Sequence, residues 1–262
     1  MSFFKKSAFK YHFSIDDTLW IFKDITENKY ASIFENRILL WAKEMHEKYD
    51  VGFSFYVWYD AWYNFNLGMS TDRFRSEFEE NSHWMKFAFH GFGFGDNNKD
   101  RTYEKNDNQM VEDYYLVTNK LLDIMGETNI DRVIRVTNFS GNKTSIKRLV
   151  DSRQIKGLLC AEDAERKSYY LSSRSINRLQ KKGFIYDLIV DVAFYKTSVR
   201  VESVENIDET IRQINEMKRN LQPIIVFTHE WALLEKYEEV TMTFEKLIAA
   251  IVGGDVCYLI EN

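Results

Sequence analysis

The stretch FSIDDTLW, residues 13–20, places Asp16 and Asp17 directly behind a run of strand-forming apolar residues. Adjacent carboxylates repel one another, so such a pair faces water, caps the next turn, or handles a cation or a proton. The last option is the chemistry of a metal site or an acid–base pair. Other chemistry-bearing residues also follow apolar runs. His90 ends MKFAFH and opens HGFGFGD, which closes on Asp96. Arg135 and Asn138 lie in VIRVTNFSG, Glu162 and Asp163 follow KGLLCA, and His229, Glu230 and Trp231 follow PIIVFT. Taken singly, each reads as a cap, a core histidine, a structural ion pair or a solvated loop. Taken together, Asp, His and Arg concentrated at the ends of apolar runs point to a site. His46 and His83 read as helix-surface residues, and His12, inside the first apolar run, receives no role.

The elements that must position these residues follow from apolar periodicity. Strands are predicted at 10–15, 51–58, 85–90, 132–137, 156–161, 184–195, 223–228 and 256–260. Helices are predicted over 28–48, 72–82, 108–125, 143–151, 205–220 and 240–252, the second capped by Ser70 or Thr71. In the first helix Tyr30, Phe34, Ile38, Trp41 and Met45 recur at spacings of three and four, as one buried face requires. Strand–helix alternation of this length predicts a parallel sheet with helices outside. The expectation is a single α/β domain over residues 1–262, closed into a barrel, with an open doubly wound sheet as the alternative. Either architecture binds ligands beyond the carboxyl ends of its strands. Within FYKTSVRVES (194–203), Arg200 and Glu202 alternate on one face and are candidates for reaching that rim.

Composition narrows the function. A net charge of −5 with no basic arm or stripe removes the electrostatic basis for nucleic-acid binding. No stretch approaches the ~20 apolar residues of a membrane span, so no membrane partner is expected. MSFFKKSAFKYHF has no apolar signal core, which predicts a cytoplasmic protein. Cys160 and Cys257 lie in apolar segments and read as reduced core residues. Aromatic residues reach 16% and cluster at 53–65, where they predict mainly core, with some rings left to form a platform for a sugar or other ring. The run GFGFG lacks phosphate-loop spacing and reads instead as backbone passing close to a ligand or another strand.

Four segments, in order along nearly the whole chain, resemble the polysaccharide deacetylase superfamily of the carbohydrate esterase family 4 (CE4) type. FSIDDT stands where that family has a strand running into TFDDG. FAFHGFGFGD is similar to its histidine motif, RVTNFSG echoes RxPYG, and IIVFTHEW resembles its terminal strand ending in histidine. The resemblance implies an irregular (β/α) barrel of about seven parallel strands that hydrolyses an N-acyl or ester bond of a carbohydrate-like substrate. It further implies Asp16 as general base, Arg135 holding that carboxylate and keeping it ionised, and His229 as general acid. Asp17 and His90 would bind a divalent metal, zinc by expectation. Phe94 stands where the family has a second histidine ligand, so Asp96, Glu162, Asp163 or Glu230 would have to substitute. Trp20, Trp58, Trp62 and Trp231 would line the groove, and Glu162 would contact substrate. The other reading is a non-catalytic barrel with an incomplete metal site that binds a carbohydrate-like ligand or a protein partner.

Overall fold

A computed structural model describes residues 9–61, 63–93, 103–104, 108–252 and 256–258. Trp62, Phe94 and Asp96 lie outside the described residues, as does the Cys257 side chain. The strands are β1 (Phe9–Thr18), β2 (Phe53–Asp60), β3 (Met85–Gly93), β4 (Val133–Ile134), β5 (Gly157–Cys160), β6 (Phe184–Asp187), β7 (Val192–Lys196), β8 (Val199–Arg200), β9 (Ile224–His229) and β10 (Val256–Tyr258). The helices are α1 (Trp20–Glu27), α2 (Arg37–Tyr49), α3 (Arg75–Glu80), α4 (Gln109–Met125), α5 (Lys143–Asp151), α6 (Ser173–Lys182), α7 (Ile207–Arg219), α8 (Glu230–Glu235) and α9 (Tyr237–Ile251). Among the described residues no helix is long and apolar enough to cross a membrane.

Hydrogen bonding orders one sheet β3-β2-β1-β9-β8, with β10 also on β1, and a second sheet β4-β5-β7-β6. Two seams join them into an irregular (β/α) barrel. The amide of Asp131 donates to the Phe87 carbonyl at 2.8 Å, stitching the approach to β4 onto β3. At the other seam, Thr197 donates to Cys160 of one sheet and Ser198 donates to Ile225 of the other. Segment 192–200 is therefore one stave that starts in the second sheet as β7 and ends in the first as β8. The segment that carries Arg200 is thus the barrel's closing strand.

Most of the aromatic cluster is core. Phe53 packs against Phe13, Trp41 and Phe244, and Phe55 stacks on Phe87 with centroids 4.9 Å apart. His12 is buried beside the Tyr56 hydroxyl at 2.9 Å, and burial pushes its pKa down to about 3, so it is a neutral core histidine. His46 stacks on Trp84 and contacts His83, and neither histidine is in the lining of the cavity that holds Asp16 and Asp17. Cys160 is a buried thiol.

Several boundaries differ from the periodicity. The run 184–195 is not one strand but an antiparallel hairpin of β6 and β7. The Asp187 carboxylate accepts the amides of Ile189 and Val190, a local turn that interrupts an otherwise continuous apolar pattern. The segment 28–48 is likewise not one helix: Asn36 accepts the amides of Ile38 and Leu39 and starts α2 at Arg37. A separate helix, α1, springs directly from the aspartate pair. α3 begins after Phe74, so neither Ser70 nor Thr71 caps it.

Glu230 explains how α1 is held. Its fully buried carboxylate accepts the amides of Leu19, Trp20 and Ile21 at 3.0, 2.7 and 3.0 Å. These are orphan donors of a helix start, satisfied from a residue 209 to 211 positions away. Burial pushes the Glu230 carboxyl up to about 7, against the pull of the three amides. Glu230 thus ties the exit of β1 to the exit of β9 and is not available as a ligand. Glu230→Ala is expected to destabilise the protein by about 3 kcal/mol, because buried amides lose their acceptor. Urea denaturation checks this; a loss within ~0.5 kcal/mol would show that water replaces the carboxylate.

Candidate active site

Consecutive side chains of an extended strand point to opposite faces. Asp16 and Asp17 nevertheless line one cavity. The β1–β2 register slips between Ile15 and Thr18, and Asp17 adopts a left-handed φ of 61°. This is a bulge that turns the second carboxylate towards the first. A second irregularity acts on the histidine. Along β2–β3, Val57 pairs with Phe89 but Trp58 pairs with Gly91, leaving His90 as the extra residue. Beyond it, Gly93 has φ 141°, and a Cβ there would lie 1.7 Å from the Asp60 carbonyl oxygen. The glycine allows the strand to pass against its neighbour, as GFGFG suggested.

Asp16, Asp17 and His90 line a cavity of about 260 Å³ together with Arg135, Arg200 and His229, with Trp58 on its wall. Asp16 and His229 are register partners across β1 and β9. Arg135 Nε lies 3.3 Å from Asp16 Oδ2, and both side chains are almost fully buried. The guanidinium carbon sits 4.1 Å from the Phe227 ring centroid. Its terminal nitrogens are buried without a hydrogen-bond partner among the described residues. Buried donors of this kind call for a partner such as a water or an anionic group.

His90 Nδ1 bonds to the Arg135 carbonyl oxygen, and Nε2 lies 3.0 Å from Asp17 Oδ1. A carbonyl only accepts, so Nδ1 carries a proton. Nε2 then faces a carboxylate, and that contact needs either a second proton or a cation to be favourable. Across the cavity, His229 Nε2 lies 4.0 Å from Asp17 Oδ2, and Nδ1 bonds to Glu202. Glu202 also accepts from Thr228 Oγ1 at 2.8 Å and Arg200 Nε at 2.7 Å. Trp231 stacks on the His229 ring at 5.4 Å, and Trp58 on the His90 ring at 5.8 Å.

Burial favours a neutral Glu202, but the bonds from His229 and Arg200 outweigh it and bring its pKa down to about 2. Burial alone would lower the His229 pKa; the Glu202 hydrogen bond and the Asp17 and Asp16 carboxylates reverse this and raise it. For Asp16, burial raises the pKa and Arg135, His90 and His229 offset only part of it. Arg135 lies against this carboxylate and favours its ionised form, the direction the sequence reading expected, but burial outweighs it. A raised carboxyl suits a base working near neutral pH.

Arg200 and Glu202 reach the site, as their alternation suggested. Trp231 backs His229 without lining the cavity, and Trp20 lies under the Arg37 guanidinium. Glu162 pairs with Arg166, which is itself on the wall, and Asp163 accepts amides of its own loop. Sequence reading named Asn138 but missed Arg166 and the conformation of the loop after β4, where Asn138 and Phe139 take left-handed φ values of 53° and 50°. Tyr169 holds that loop, donating its amide to the Phe139 carbonyl at 2.7 Å and accepting the Val136 amide on its hydroxyl at 3.2 Å. No spacing in the sequence marks a loop secured from 30 residues away.

Among the described residues no group of three or more His, Cys, Asp or Glu side chains is arranged to hold a metal ion. Asp17 and His90 nevertheless fit two places in a divalent ligand set: one carboxylate oxygen and one imidazole nitrogen converge, and the nitrogen's tautomer is fixed by its other partner.

The barrel fold is similar to that of several solved structures. A polysaccharide-deacetylase assignment from Mycobacterium smegmatis matches at 11% identity and TM-score 0.59, over 98% of this chain and 88% of its own. A CE4 esterase of Streptococcus mutans matches at 12% and 0.53, over 96% and 86%. A 4-alpha-glucanotransferase of Thermococcus litoralis matches at 9% and 0.54, over 97% of this chain but 39% of its own. No family model and no curated sequence matches the chain. At these identities the likeness shows the fold alone, a barrel shared by chains described as a deacetylase, an esterase and a glucanotransferase.

Proposed function

We propose that the protein is a hydrolase of the polysaccharide deacetylase type, cleaving an N-acyl or ester bond of a small carbohydrate-like substrate. One observation carries this reading: Asp16 paired with Arg135, and His229 backed by Glu202, line one cavity together with the Asp17–His90 pair. Asp16 accepts a proton from the attacking water as its oxygen bonds to the acyl carbon. His229 donates a proton to the nitrogen or oxygen that leaves as the old bond breaks. Glu202 fixes the His229 tautomer and favours its charged form; Arg135 orients Asp16. A divalent cation, zinc by this donor chemistry, held by Asp17, His90 and a further donor such as Asp96, would polarise the acyl carbonyl. Trp58 offers an apolar face to a sugar ring, whereas Trp20, Glu162 and Trp231, expected from the sequence to contact substrate, lie outside the cavity lining and would meet only a substrate that extends beyond it. A volume of about 260 Å³ suits one sugar unit better than a length of polymer.

The two-donor metal set favours a second reading, a barrel that binds such a ligand without turning it over. Metal content separates the two. Protein purified without chelator is expected to carry close to one zinc per chain, lost in Asp17→Ala and in His90→Ala, and to release acyl groups from N-acylated amino sugars. Absence of bound metal under every loading condition, with no acyl release, selects the binding barrel.

A further inference from the structure

The opposite pole of the barrel carries a feature the catalytic reading does not use. The turn between β6 and β7 exposes Leu188 and Ile189 to 86% and 75%, and Phe184 and Tyr186 are also exposed on the same hairpin. This tip is built, not loose: the Asp187 carboxylate accepts two turn amides through one oxygen and the Tyr170 hydroxyl through the other. Large aliphatic side chains fixed in water forgo the gain of burial and mark an interaction surface.

The base of the same hairpin closes a depression of about 420 Å³ at the strand starts, and its charge is one-sided. Tyr186 and Asp191 meet Lys10, Arg132, Arg153 and Lys156 there. Among the described residues of that lining the carboxylate is Asp191, which accepts the Tyr186 hydroxyl. Four cations converge on a protein whose net charge is −5.

We propose that this pole docks on an anionic lipid surface, with Leu188 and Ile189 entering the acyl boundary and Lys10, Arg132, Arg153 and Lys156 meeting headgroup phosphates and carboxylates. A convex tip of two adjacent aliphatics suits a deformable medium, whereas a folded acidic protein would need a matching cleft. Exposed Tyr186 beside the tip is the residue type that sits at headgroup level. The arrangement combines one apolar anchor with a basic cluster, the two signals that stable peripheral binding takes. It requires no spanning helix, and it revises the sequence expectation of no membrane partner. The cavity at the carboxyl ends of the strands stays open to solvent in this pose.

Vesicle co-sedimentation of the intact protein tests this. Vesicles of phosphatidylcholine with about one-third phosphatidylserine should bind it, and pure phosphatidylcholine should not. Arg132→Gln/Arg153→Gln and Leu188→Ser/Ile189→Ser, both at exposed positions, should each weaken binding about tenfold or more, with unchanged circular dichroism and metal content. Added salt should weaken the wild type more than the arginine variant. No sedimentation with anionic vesicles at low salt would overturn the proposal. So would binding that survives both double substitutions. Sedimentation velocity showing a dimer that Leu188→Ser/Ile189→Ser dissociates, without vesicle binding, would assign the tip to a second copy of this chain instead.

Discussion

Asp16→Asn is expected to lower turnover about a thousandfold while leaving metal content near that of the wild type. Asparagine preserves the volume, and its carbonyl oxygen can still face Arg135 Nε, so the buried pair loses little geometry. The substitution removes the ability to accept a proton from water. Asp17, not Asp16, lies against His90, and for that reason metal should stay. The wild type should also gain activity as pH rises through the Asp16 ionisation, because the base acts only when deprotonated. Burial places that limb above the ordinary carboxylate range, and the variant's residual rate should lack it. Loss of metal in Asp16→Asn, with retention in Asp17→Ala, would exchange the two assignments.

The second large effect concerns His229. His229→Ala is expected to reduce kcat by about 10² to 10³ with KM within a few fold, since an acid works mainly in the transition state. A subtler variant tests the carboxylate behind it. Glu202→Gln keeps His229 in place but removes the negative charge that helps raise its pKa. The acid is active when protonated, so activity falls on the alkaline side as His229 loses its proton. That alkaline limb should move to lower pH in Glu202→Gln. An unmoved limb would restrict Glu202 to packing, and a rise in KM with kcat intact would make His229 a binding residue.

The sequence by itself determined the strand–helix alternation and the neighbourhood of the chemistry. Period-2 and period-3.6 apolar patterns belong to residues close in the chain, so alternating strands and helices were legible, and with them the rim where Asp16, Asp17, His90, Arg135 and His229 gather. Tertiary structure alone decided how those residues face one another. The bulges at Asp17 and His90 arise from mismatched register between whole strands, which no local pattern encodes. Glu202 meets His229 across 27 positions and Glu230 caps α1 from more than 200 away, contacts whose energies exist only once the barrel closes. The turn at Asp187 went unread for a related reason: a side chain bonding its own backbone splits an apolar run that hydrophobicity alone describes as continuous.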